Sequence, residues 1–269
     1  MPTSRVAAAN AATTDPDATA ERPSSPPAPT LRLSCVGDSI TRAQLSEDYV
    51  EPLVRRQAPR RVEVARFGVN GDFAYNLLQR LDEVVATPAD AITVLIGTND
   101  ARASVPGYPL AKAAKRKRLP HPPTRAWFAA CLTAIVERLQ RDTDAQIAVL
   151  SLPALGQVLD AAPMQAAAEY SATIAEVAEA TGVTYLPLYE RQVAALRSRR
   201  PAALPYRELT PAGYIGTVLQ QRLLGRSLDT IARRRRLTLT TDHIHQNSDG
   251  AALIAEQIDA WLRQLTLPC

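Results

Sequence analysis

From Leu31 onward, short β-rich apolar runs alternate with longer amphipathic stretches, and this alternation constrains the fold more than any other feature. Five runs read as strands: Leu31–Val36, Val62–Phe67, Ala91–Ile96, Gln146–Leu150 and Val183–Leu186. The third and fourth (AITVLI, QIAVL) are almost continuously apolar, as strands covered on both faces must be. Helical patterns lie between the runs at 43–57, 74–86, 124–141 and 164–181. A last one, Ser248–Leu265, repeats apolar residues at Ala251, Ile254, Ile258, Trp261 and Leu262, which makes one buried stripe. Strand–helix alternation predicts an α/β fold with a parallel sheet and helices on both faces. The 269 residues suffice for one large domain of this kind.

Two stretches break the alternation. Residues 101–123 hold five Pro and the basic cluster Lys112–Arg118. Residues 187–240 read as a largely helical insertion, with Thr210 capping a helix at Pro211 and Ser227 and Asp229 opening another that ends in Arg233–Arg236. Four Arg at a helix C-terminus suit the macrodipole and read as a solvated end. Residues 1–30 contain six of the 21 Pro and no Gly or aromatic residue, so they are expected to be a disordered leader. The leader has no apolar signal-peptide core, which points by default to the cytoplasm. The domain is then 31–269.

Other classes are disfavoured. No apolar run reaches the roughly 18 residues that cross a bilayer, so stable membrane insertion is not expected. Cys35, Cys131 and Cys269 form no CxxC pair, and three His cannot make a His-rich metal site. A net charge of +4 with only 5% aromatic residues gives no case for a nucleic-acid partner.

In a parallel sheet, ligands bind beyond the carboxyl ends of the strands. There this sequence carries Gly37-Asp38-Ser39-Ile40-Thr41, Gly68-Val69-Asn70-Gly71-Asp72 and Gly97-Thr98-Asn99-Asp100. Each alone is an ordinary strand-to-helix turn. Together they offer a hydroxyl nucleophile (Ser39), an unobstructed backbone N–H (Gly71; Gly68 is a weaker substitute) and a side-chain amide donor (Asn99), which acyl transfer requires. For the base, His121 lies in a Pro-rich loop, whereas His243 and His245 precede the last helix. Asp242 and His245 are three apart, so a helical turn there would let the carboxylate hold Nδ1 and leave Nε2 for Ser39. The plain alternative is a polar loop with a helix N-cap at Ser248.

These blocks, in this order, resemble the GDSL, or SGNH, hydrolase superfamily: Gly37-Asp38-Ser39-Ile40, Asn70-Gly71-Asp72, Gly97-Thr98-Asn99-Asp100 and Asp242–His245. The resemblance spans about residues 31–265. It implies a three-layer α/β/α sandwich on a five-stranded, flavodoxin-like parallel sheet. It also implies Ser39 as nucleophile, His245 as base, Asp242 as its partner, and an oxyanion hole from Ser39, Gly71 and Asn99. The implied enzyme is an esterase or lipase that cleaves small-molecule or lipid esters through an acyl-enzyme, on short to medium chains, with no metal or cofactor. Two positions depart from the family pattern: His243 follows Asp242 where a small or apolar residue is usual, and Gln246 follows His245 where Pro is usual. An acyltransferase would use the same residues. A non-catalytic binding protein on this fold would instead use the basic segments 112–118 and 233–236 against an acidic partner. The oligomeric state is not encoded in any pattern of the sequence. No G-x-S-x-G elbow is present.

Overall fold

The structure, a computed structural model, describes residues 30–265. The expected leader up to residue 29 and Cys269 lie outside the described residues.

Five parallel strands form one sheet: β1 (Leu31–Gly37), β2 (Val62–Gly68), β3 (Ala91–Leu95), β4 (Gln146–Leu150) and β5 (Thr184–Leu186). Their order is β2-β1-β3-β4-β5, the doubly wound arrangement of the flavodoxin type. β3 is buried along its whole length and β4 after its first residue, as their apolar runs require, whereas edge strand β2 buries only Val62. The helices are α1 (Ser39–Arg42), α2 (Val50–Arg56), α3 (Ala74–Gln79), α4 (Leu81–Val85), α5 (Thr98–Ala103), α6 (Leu110–Lys117), α7 (Arg125–Asp142), α8 (Ala162–Thr181), α9 (Leu188–Arg199), α10 (Pro211–Arg222), α11 (Leu228–Arg234) and α12 (Ser248–Leu262).

The strand period of two sorts side chains into two cores. Leu31, Leu33 and Cys35 of β1, with Ala91 and Leu95 of β3, pack against α2 and the Ile254–Ile258–Trp261 stripe of α12. Val36, Ile92, Val94 and Val149 face the opposite side, against α3, α4, α7 and α8. Helices therefore cover both faces, giving the three-layer sandwich. No helix among the described residues is long and apolar enough to cross a membrane.

Two helical patterns come out shorter than periodicity predicts. Of 43–57 only α2 is formed, because Pro52 lacks an N–H and its ring would clash with the carbonyl four residues back, confining it to a first turn. The 74–86 pattern breaks at Arg80 (φ −117°, ψ 18°). The Arg80 guanidinium donates to Asp72 and to the carbonyls of Gly37 and Phe67, tying the β1 and β2 ends together. The expected caps at Thr210 and Ser227 form, each accepting from a backbone N–H three residues on. Helix α12 is capped one residue earlier than expected: Asn247 accepts from Gly250 N–H, and Ser248 instead binds Asp229.

Candidate active site

The winding direction of the sheet reverses between β1 and β3, and the crevice at that switch point is where such sheets bind ligands. Ser39 follows β1 and Asn99 follows β3, so both sit there. Asp38 caps the single turn α1, its Oδ1 accepting from Ile40 N–H at 3.0 Å. That cap fixes the turn and presents Ser39 at its first position.

The segment after α11 closes on this turn. Thr241 N–H donates to His245 O at 2.7 Å, and Thr240 bridges Gln246, so residues 240–246 form a tight loop rather than the helical turn the spacing suggested. Asp242 Oδ1 accepts from the N–H groups of Ile244 (3.2 Å) and His245 (2.8 Å). Asp242 Oδ2 lies 2.8 Å from His245 Nδ1, and His245 Nε2 lies 3.0 Å from Ser39 Oγ. An ionised carboxylate only accepts, so it selects the Nδ1–H tautomer and leaves Nε2 to accept from the Ser39 hydroxyl. Burial pushes the Asp242 carboxyl up, but the charge of His245 and the hydrogen bonds from its ring, its N–H and that of Ile244 together outweigh this and hold it below its ordinary value.

Gly71 and Asn99 line the same cleft as Ser39 and His245. Gly71 has φ +73°, and a Cβ there would also come within 3.2 Å of Arg116 Nη2 and Lys117 Cε. Neither the Ser39 nor the Gly71 N–H bonds to a protein acceptor among the described residues. The Asn99 amide is partly engaged: Nδ2 donates to Asp72 O at 3.0 Å and reaches Asp38 Oδ2 at 3.4 Å, while Oδ1 accepts from Arg102 at 2.8 Å. Arg102 is in turn paired with Glu208, which accepts from Tyr206. The sequence order of the blocks is thus matched by a meeting in space. The sequence model of the GDSL-like Lipase/Acylhydrolase family matches residues 35–253.

The chain belongs to the GDSL-like lipase/acylhydrolase family.

It is accordingly a carboxylic ester hydrolase acting on a small-molecule ester. No curated protein matches it. An acetylxylan esterase from Geobacillus stearothermophilus superposes with a TM-score of 0.60 at 16% identity, covering 85% of this chain and 92% of that one. The acetyl xylan esterase AlAXEase gives 0.59 at 16%, with 87% and 100% covered. A lipase/acylhydrolase from Enterococcus faecalis gives 0.57 at 19%, with 87% and 95% covered. At these identities the likeness is one of fold.

Both departures from the GDSL pattern have a structural reading. His243 takes φ +72°, uncommon for a side chain with a Cβ, and its ring packs edge-on against Tyr206, making no hydrogen bond to Ser39 or Asp242. Burial pushes its imidazole below the ordinary value. Gln246 is fully buried and holds the loop: its N–H donates to Ser46, its carbonyl accepts from Glu47, and its side chain joins Gln192 to the Ile244 carbonyl. Arg235, expected at a solvated end, donates to Thr241 O and to Thr217 of α10, so it braces the same loop. His121 stacks on Trp127, away from this cluster. Among the described residues, no group of three His, Cys, Asp or Glu is placed to hold a metal.

Two further carboxyls of the GDSL blocks are buried beside the site. Burial pushes Asp38 up to about 6 and Asp100 up to about 7, against hydrogen bonds from Ile40 N–H and, for Asp100, Ala74 N–H. A carboxyl raised on folding contributes its stability fully below the unfolded value near 4, and loses it as pH rises through the folded value. Asp100→Asn removes the charging step and keeps an oxygen for Ala74 N–H. Its stability relative to wild type is expected to climb between about pH 4 and pH 7 by on the order of a few kcal/mol, then level off. Urea unfolding across that range checks this, and a difference independent of pH overturns it.

Proposed function

We propose that this family member hydrolyses carboxylic esters by a serine mechanism, with Ser39 as nucleophile, His245 as general base and Asp242 orienting and charge-balancing the imidazole. The reading rests on the continuous hydrogen-bonded chain Asp242 Oδ2···Nδ1 His245 Nε2···Oγ Ser39, with links of 2.8 and 3.0 Å. Ser39 Oγ attacks the acyl carbon as its proton passes to Nε2. The tetrahedral oxyanion accepts from the N–H groups of Ser39 and Gly71, which have no acceptor among the described residues, and from Asn99 Nδ2. His245 returns the proton to the leaving alcohol, leaving an acyl-Ser39. A water, deprotonated by the same Nε2, then releases the acid and restores the hydroxyl.

Residues 31–269 form the hydrolase domain on this reading, and part of the 187–240 segment walls its cleft. Leu209, Pro211, Tyr214 and Ile215 give an apolar side to a cleft of about 630 Å³, which suits short to medium acyl groups. The acetylxylan esterases among the solved neighbours make an acetyl ester the natural first probe.

Two measurements test this. A p-nitrophenyl ester series from acetyl upward should show kcat/KM falling beyond medium chain length, and a monotonic rise through long chains overturns the chain-length reading. Asn99→Ala should lower kcat by about 10²- to 10³-fold with a small change in KM, because its donor acts mainly on the oxyanion. A KM effect alone would assign Asn99 to ground-state binding.

A further inference from the structure

The cleft that holds Ser39 has two unlike walls. Besides the apolar residues from 209–215, helix α6 contributes three of the five cations of its basic cluster: Lys112, Arg116 and Lys117 line the cleft, while Lys115 and Arg118 do not. Arg102 is a fourth cation of the lining, against a single carboxylate, Glu208. Two of the four are paired, Arg102 with Glu208, and Lys117 at 2.7 Å with Asp72, a carboxylate it shares with Arg80. Lys112 and Arg116 are exposed and make no ion pair among the described residues. They lie four apart, hence one above the other on one helix face. The macrodipole accounts for cations in the last turn of α6, but Lys112 stands in the first turn, where it disfavours them. Arg116 is also close to the chemistry, with Nη2 3.2 Å from where a Cβ on Gly71 would stand.

We infer that the substrate is an acidic ester, a molecule carrying a carboxylate or phosphate besides the ester that reacts at Ser39, and that Lys112 and Arg116 bind its anionic group beside Gly71. This deepens the serine-esterase reading and rests on it for the position of the ester. A guanidinium can take such a group through two N–H donors, and the Lys ammonium adds a point charge.

The test uses two pairs of esters. In one the charge is on the acyl side, p-nitrophenyl hydrogen glutarate against its neutral methyl ester. In the other it is on the alcohol side, 4-acetoxybenzoate against 4-acetoxybenzamide. The readout is the ratio of kcat/KM, charged over neutral, in wild type and in K112Q/R116Q, which cancels the intrinsic reactivity of each ester. One of the pairs is expected to show a ratio about tenfold higher in wild type, carried by KM and shrinking as salt is raised. The pair that responds tells which side of the ester carries the anion. Equal ratios in wild type and variant for both pairs overturn the inference. If wild type cleaves none of the four esters, the serine-esterase reading has failed, and calorimetric titration with glutarate then decides. Tighter binding to wild type than to K112Q/R116Q keeps the anion site, and equal or absent binding overturns it.

Discussion

Ser39→Ala is expected to lower kcat on p-nitrophenyl acetate by about 10⁶-fold, leaving a small residue of turnover from the oxyanion donors and binding alone. The change deletes one oxygen at a half-buried position. It removes the link to His245 Nε2 and no backbone contact, so the thermal midpoint should stay within a few degrees of wild type. Because the residues of such a chain act as a unit, His245→Ala added to Ser39→Ala should cost little more. Esterase activity surviving in Ser39→Ala would move the nucleophile elsewhere.

Asp242→Asn is expected to cost about 10⁴-fold in kcat with the fold intact. The asparagine carbonyl can take the place of Oδ1 and keep the N–H groups of Ile244 and His245, so the loop holds its shape. The new NH₂ then faces His245 Nδ1 and turns it into an acceptor. The ring proton moves to Nε2, where it meets Ser39 Oγ as a donor and no base remains. Steady-state kinetics beside a thermal melt separate this from unfolding, and a variant that loses stability but keeps its kcat would refute the tautomer argument.

The sheet was legible in the sequence because buried parallel strands demand uninterrupted apolar runs. The ends of β3 and β4 fall within a residue of those read from AITVLI and QIAVL. The candidate site was legible because each of its parts occupies a strand-end turn or a short-range spacing. Helix ends were read less well. Periodicity says which face is buried, and Pro52 and Arg80 broke their helices through backbone sterics and a long-range set of hydrogen bonds respectively. The roles of Gln246, Arg102 and Arg235 had no local signal at all. Gln246 and Arg102 link segments far apart in the chain, 54 residues from Gln192 to Gln246 and 106 from Arg102 to Glu208, and Arg235 joins α11 to α10 and to the 240–246 loop, contacts that only the fold brings together. The basic cluster of α6 could be seen, but which of its side chains turn into the cleft depends on how the helix is docked.

The two residues joined at 3.0 Å, Ser39 and His245, are 206 positions apart. One leaves the first strand and the other precedes the last helix, so nearly the whole domain must be synthesised and closed before they meet. On the proposed mechanism, a nascent chain still short of residue 245 carries an inert serine, and so does one in which the 240–246 loop has opened. Turnover thus reports completion of the fold: a preparation that has recovered its helix and strand content but not the 240–246 closure would look native in circular dichroism and remain silent towards ester.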